Sequence, residues 1–385
     1  MVLATMLAIS LNSTGRQYPF SHGLPSLPSY FPIAVWLQDP SNASRYKAAG
    51  FNLYIGLWQG PTDAQLARLK AEKMPVICEQ NAVGLSHRDD RTIVAWMHGD
   101  EPDNAQAVKD PVTGKEGYGP CVPPTKIVDE YRAMRAKDPT RPIILNLGQG
   151  VANDEWIGRG SGARLQDYKT YVKGADIVSF DVYPVAGLPK PRPEDYLWYV
   201  PKGLDRLASW MGPAGTRWNC IECTRIDGDH KATPAQVRSE VWMSIVHGSK
   251  GLIYFVHQFK PTFDEHALLD DPEMLASVTA LNRQIEDLAP IINSPTLAGV
   301  VAAASPTDRP VDIVAKRHGN DIFVFAVGMR NAESNATFSG LGIPATGTAQ
   351  VIGEDRTISI GDGRFSDRFS PYEPHIYRIR RTSQK

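Results

Sequence analysis

A (β/α)8 barrel of the α/β class, followed by a small C-terminal antiparallel β-sandwich, is the fold that three features of the sequence predict. Eight short, nearly all-apolar runs recur between residues 31 and 257, separated by helix-length or loop-rich stretches. Such runs suit parallel strands buried on both faces. After residue 293 the texture changes to short strands separated by turn residues, with no helical period. The length of 385 residues accommodates a barrel of roughly 250 to 300 residues and one further small domain.

Taken in order, the first strand is expected at 31–37 with a helix at 41–49, and the second at 51–57 with a helix at 62–73. Leu66, Leu69 and Met74 give that second helix its apolar side. Strands follow at 75–79 and 93–97, with a short polar helix at 84–91 between them as the weak unit. A Gly- and Pro-rich excursion, 103–124, stands where a barrel keeps an active-site loop. Next come a helix at 125–136 and strands at 142–147, 177–184 and 218–222. A helix at 234–247 carries Val237, Val241 and Ile245 at helical spacing, then a strand at 251–257 and a helix at 272–288 complete the barrel. Sandwich strands are expected at 299–301, 311–315, 321–327, 347–352 and 375–379. The expected divisions are an N-terminal arm or signal remnant at 1–30, the barrel at 31–292 and the sandwich at 293–385.

Bulk properties exclude several classes. A formal net charge of −1 provides no field for nucleic acid or an anionic membrane. Of the four cysteines, Cys220 and Cys223 form a C-x-x-C, but within a strand their side chains diverge, which disfavours a redox pair or a shared metal. Without a second such motif a zinc ribbon is not expected, and buried thiols are. Residues 1–11 are apolar, lack a basic start and are too short to span a bilayer.

Strand alternation then selects the chemistry. Ala95, Met97 and Gly99 share a side with Glu101; Trp218 and Cys220 share one with Glu222; Ser179 and Asp181 share one with Tyr183. A single glutamate is most simply a solvated loop residue. Two of them, ending the fourth and seventh strands after buried-looking runs, point instead to one mouth, and facing carboxylates in a cleft are what glycosidic bond cleavage requires.

Gly99-Asp-Glu-Pro102, Phe180-Asp-Val-Tyr-Pro184, Ile221-Glu222 and the run Val241-Trp-Met-Ser-Ile-Val-His-Gly-Ser-Lys-Gly-Leu-Ile-Tyr-Phe255 give the sequence a resemblance to the clan A glycoside hydrolases. The last run resembles the passage from seventh helix to eighth strand in β-galactosidase-like members, and the resemblance spans most of 31–290. It implies a retaining enzyme acting on β-linked oligo- or polysaccharide by double displacement, with Glu101 as acid/base, Glu222 as nucleophile and Tyr183 orienting the nucleophile. It implies no metal and no cofactor. Asp100 stands where the clan usually has an asparagine that grips the sugar 2-hydroxyl; an anion there can still accept that hydroxyl's hydrogen bond. A polymeric sugar substrate also favours a secreted or periplasmic location.

Further substrate contacts are expected from Glu79, Asn146 and His257 near the mouth, and from Trp36 and Trp58 at the ends of the first two strands. For the two tryptophans, core packing is the competing reading. Trp156, Trp198 and Tyr199 fall in loops on the mouth side. Two rival functions are weighed: a non-catalytic carbohydrate-binding barrel, and a metal-dependent barrel hydrolase. The latter wants clustered histidines, whereas His87, His98, His230, His247 and His257 are scattered and the first strand has no H-x-H. Neither a G-x-S-x-G nor a phosphate-loop motif occurs.

Overall fold

A computed structural model describes residues 20–380 except 112, 161–162 and 227. Eight parallel strands form the barrel, beginning with Ile33–Trp36, Leu53–Ile55, Val76–Glu79 and Ile93–Met97. Ile143–Leu147 and Ile177–Phe180 are the fifth and sixth, and Leu252–Phe255 is the eighth. The seventh is split at Trp218. Its first piece, Thr216–Arg217, pairs with the sixth strand, and its second, Asn219–Glu222, pairs with the eighth. Trp218 N still donates to Val178 O at 2.9 Å, so the break does not open the sheet. The eighth strand pairs back to the first through Ile33↔Leu252, which closes the barrel.

The helices start where local chemistry asks them to. Thr62 with Gln65, and Thr233 with Gln236, form reciprocal capping boxes that satisfy orphan N–H groups of Asp63–Ala71 and Pro234–Val246. The Asp271 side chain caps Pro272–Ile292. The third helix is the five-residue Ala82–Ser86, short as expected. After the fifth strand there are 3-10 turns and a four-residue helix, Tyr168–Tyr171. The excursion after the fourth strand carries an exposed hairpin, Ala107–Lys109 with Glu116–Tyr118.

Ala34, Ile55, Ile77, Ala95, Ile144 and Ile253 fill the barrel interior together with Trp218 and Cys220. Each large apolar side chain sealed there contributes on the order of 1.5–3 kcal/mol. Cys223 belongs to the outer core between barrel and helices, so the two cysteines of the C-x-x-C part as strand alternation requires, and both are free thiols. Residues 20–30 cross the barrel floor: Leu24 is buried there, and Asn293 Nδ2 holds Pro28 O and Tyr30 O at 2.8 Å each. The expectation for residues 1–11 lies outside the described residues. Among those described, no helix is long and apolar enough to cross a membrane.

The C-terminal part is a sandwich of two antiparallel sheets. One holds Ala302–Ala304, Ser334–Ser339 and Arg364–Phe369. The other holds Val311–His318, Asp321–Gly328, Pro374–Arg380, Gly347–Val351 and Arg356–Ile360. Phe338, Phe365 and Tyr377 fill the space between them. Phe325 on the second sheet's outer face stacks on Trp242 of the helix Pro234–Val246, with centroids 5.6 Å apart. Three strands were missed in the sequence, at 334–339, 356–360 and 364–369, because their exposed faces are strongly polar, and the strand expected at 299–301 is instead a turn that leads into Ala302–Ala304.

Candidate active site

Glu101 follows the fourth strand by four residues, and its backbone adopts φ 43°, a left-handed conformation that costs a non-glycine residue energy. The surroundings enforce it. Glu101 N donates to Asn146 O at 3.2 Å, and Asn104 N and Gln106 Nε2 both donate to Glu101 O at 3.1 Å. Two residues on, the buried Asp103 anchors the same turn by accepting from Gly148 N at 2.8 Å and from the Tyr168 hydroxyl at 2.7 Å. Burial pushes the Asp103 carboxyl up to about 6, against the pull of those two donors.

Asn146, at the end of the fifth strand, ties the floor of the mouth together. Its Nδ2 donates to Asp100 Oδ1 at 3.0 Å, and its Oδ1 accepts from Ser179 Oγ at 2.7 Å. Water reaches the Asp100 side chain, yet protein surrounds it, and burial followed by the Glu101 charge pushes its carboxyl up to about 7.

Asp181, just past the sixth strand, is a functional residue that the sequence reading passed over. Its carboxyl is hydrogen-bonded to that of Glu101. Burial, then the charges of Glu101 and Asp100, raise it well above the ordinary range. The signal was present in the sequence: Asp181 shares strand parity with Tyr183, inside Phe180-Asp-Val-Tyr-Pro184. Tyr183 lies in the same cluster, its phenol kept protonated by burial and by neighbouring acids, its ring 5.2 Å from Phe255. Its hydroxyl meets the Cys220 thiol.

Glu222 also ends its strand as expected, in register with Phe255. Its carboxyl does not open onto the mouth in this structure. It is 0 % exposed, and its two oxygens accept from Val185 N at 2.7 Å and Ala186 N at 2.6 Å, in the loop that follows the sixth strand. Glu240, fully buried on the helix Pro234–Val246, faces it as a second carboxyl. Burial raises both acids, so this pair holds a proton rather than two charges. Strand parity alone could not reveal this, because a loop rather than the strand closes over the carboxylate.

The other expected contacts divide. Glu79 is exposed and in register with Met97, which places it on the mouth side. His257 is buried at the end of the eighth strand, with Nε2 3.2 Å from Leu37 O; burial pulls it down to about 4, which keeps it neutral. Beyond it Phe259 and Phe263 project 47 % and 64 % exposed, their rings 5.8 Å apart, continuing the aromatic line from Tyr183 and Phe255. Trp36 is among the barrel's packed interior side chains at 7 % exposed, so its ring offers a sugar no face. Trp58 and Trp156 are exposed. Trp198 differs from expectation, standing at the junction with the sandwich under the Arg330 guanidinium, 5.2 Å from its ring, while Tyr199 is buried beside it.

Asp264, His266 and Asp270 bring three ligand-type atoms within 4.8 Å of one another on the rim. His266 pairs there with both aspartates, at 3.5 and 3.3 Å, and the Arg45 guanidinium reaches Asp270 at 3.6 Å.

Solved structures share this architecture of a barrel with a β-domain. AmyP in complex with maltose superposes with a TM-score of 0.53 at 8% identity, over 93% of this chain and 98% of that one. AmyB, a noncanonic maltogenic alpha-amylase from Thermotoga neapolitana, gives 0.51 at 11% identity, over 92% and 100%. AbfB, a family 51 alpha-L-arabinofuranosidase from Bifidobacterium longum, gives 0.50 at 12% identity, over 94% and 98%. No family model and no curated protein matches the sequence. Identities this low establish the common fold.

Proposed function

We propose that this chain is a glycoside hydrolase that cleaves oligo- or polysaccharide at the C-terminal mouth of its barrel. The observation that carries the reading is the Glu101–Asp181 pair, two carboxyls from different strands that meet in a water-accessible mouth. Environments that separate the protonation of two neighbouring acids create an acid and a base within one site. Asp181, whose carboxyl burial raises, is assigned proton transfer with the glycosidic oxygen. Glu101 is the second carboxylate, and Asp100, held by Asn146, faces a sugar hydroxyl. The pair must part to admit a sugar, and its working separation decides the outcome: about 5–5.5 Å for retention, about 6.5–9.5 Å for inversion with a water between. The similar solved structures named for maltose and arabinofuranoside chemistry support this reading by their fold.

A second assignment keeps Glu222 as nucleophile in a retaining double displacement on a β-linked substrate. Its support is that Glu222 ends the seventh strand in register with Phe255, with the loop carrying Val185 and Ala186 lying over its carboxylate.

The test is turnover of a panel of xylo-, cello-, manno- and malto-oligosaccharides, with NMR of the product anomer. Wild-type hydrolysis with a loss of roughly 10²–10⁴-fold in both Glu101→Gln and Asp181→Asn is expected. Full activity in Asp181→Asn, with Glu222→Ala inactive and rescued by azide, would transfer the role to Glu222. Binding without turnover of any sugar would leave a carbohydrate-binding barrel.

A further inference from the structure

At the end of the barrel opposite the mouth, the turn before the seventh strand and the turn before the eighth meet the first strands of the sandwich. They enclose a cavity of about 320 Å3, with Thr216, Arg217, Ser249, Lys250, Thr296 and Lys316 on its wall. The other lining residues are apolar, glycine or proline, so no carboxylate stands among them. Three basic side chains therefore converge on one space, and none of its described lining residues is acidic.

The placement of each cation is specific. Arg217 leads into Trp218 and donates from Nη2 to His247 O at 3.1 Å, while its Nε is buried without a partner. Gly248 makes that approach possible: a Cβ there would stand 2.4 Å from Arg217 Nη2, and the residue's φ of 82° is itself one that suits glycine. Lys316 is 4 % exposed on the strand Val311–His318, and its Nζ donates to Ser294 O at 3.0 Å and Thr296 Oγ1 at 2.9 Å. Lys250 N donates to Arg217 O at 2.9 Å, which sets the two basic residues side by side. Burial, then the Lys250 charge, pulls Lys316 down to about 7, and burial followed by Arg217 lowers Lys250. The one acid that bears on Arg217 is Asp205, which is already engaged by His247.

We propose that this cavity is a binding site for a tetrahedral oxyanion, phosphate or sulfate, which bridges Arg217 and Lys250 of the barrel to Lys316 of the sandwich. The buried Arg217 Nε–H and the hydroxyls of Thr216, Ser249 and Thr296 supply donors of the kind such an anion takes. The site lies apart from the mouth, and it stands or falls independently of the hydrolase reading.

The experiment is calorimetric titration of the full chain with inorganic phosphate and with sulfate, alongside thermal unfolding in each salt and in chloride at equal ionic strength. Saturable one-to-one binding is expected, with a Tm that rises with phosphate but not with chloride. Lys250→Met and Lys316→Met should each weaken the affinity about tenfold or more, as loss of a charged hydrogen-bond donor does. Near pH 8 the binding heat should vary with buffer ionisation, because an anion beside Lys316 draws a proton onto it. Equal Tm values in phosphate, sulfate and chloride would overturn the proposal. So would an unchanged affinity in Lys250→Met, the variant that leaves the more deeply buried Lys316 in place.

Discussion

The Asp181 carboxyl meets that of Glu101 across the strand between them, so the sixth and fourth strands are joined at the mouth by two acids. On the proposed reading, the bridging oxygen of a glycoside enters between these two carboxyls. Glu101 holds its side chain there from a left-handed backbone, and the carbonyl contacts of Asn104 and Gln106 keep it from relaxing.

Glu222 and Glu240 separate the two mechanistic assignments. Both acids are raised by burial, so their contribution to stability is full below their ordinary range and is lost as pH rises through the higher folded values. Glu222→Gln, an uncharged isostere, should flatten the decline of Tm as pH rises above the ordinary carboxylate range and leave kcat within about threefold. A loss of roughly 10³-fold in kcat with an unchanged Tm profile would instead make Glu222 the reacting group.

Asp100 sets a pH dependence of its own. Raised to about 7, it stabilises the fold at acid pH, and that contribution disappears as pH climbs through 7. Asp100→Asn should keep the bond from Asn146 by an amide flip and remove an inflection near pH 7 from kcat/KM. An identical pH profile in the variant would show that the Asp100 charge plays no part in turnover.

Phe259 and Phe263 extend the aromatic line outward from Phe255. Stacking on such rings is worth about 0.5–1.5 kcal/mol each. The double variant Phe259→Ala with Phe263→Ala should lower kcat/KM for hexasaccharides about tenfold and leave disaccharides nearly untouched. Equal losses on both substrates would place these rings away from the sugar's path.

His247 bridges Asp205 of the barrel, at 2.9 Å, and Asp312 of the sandwich, at 3.2 Å. Burial pulls its imidazolium down, but the two carboxylates outweigh this and hold it at about 9. The stability it contributes is present below its ordinary value of 6.5 and is lost as pH rises through 9. His247→Gln should lower Tm at pH 6 and make no difference at pH 10, which differential scanning fluorimetry across that range would record.

Most of the architecture was legible because parallel strands announce themselves as apolar runs: Ile33–Trp36, Ile143–Leu147 and Leu252–Phe255 all fall inside the expected segments. Alternation grouped Ala95 with Met97 and Trp218 with Cys220, and the barrel interior holds all four. Sandwich strands such as Ser334–Ser339 escaped because half their residues face water and carry no apolar period. At the site, parity showed which side of a strand Glu222 leaves from, but the path of the loop through Val185 and Ala186 depends on long-range packing. Asp181 was visible beside Tyr183, yet only the closed barrel brings it to Glu101.

The stacking of Phe325 on Trp242 carries a thermodynamic consequence. Phe323, Phe325, Val327 and Ile376 share one continuous apolar cluster with the helices around the barrel, so the sandwich finishes the barrel's outer wall instead of hanging from it. A truncated chain ending after Ile292 would bare that wall to water and should precipitate, while the intact protein should melt in one calorimetric step.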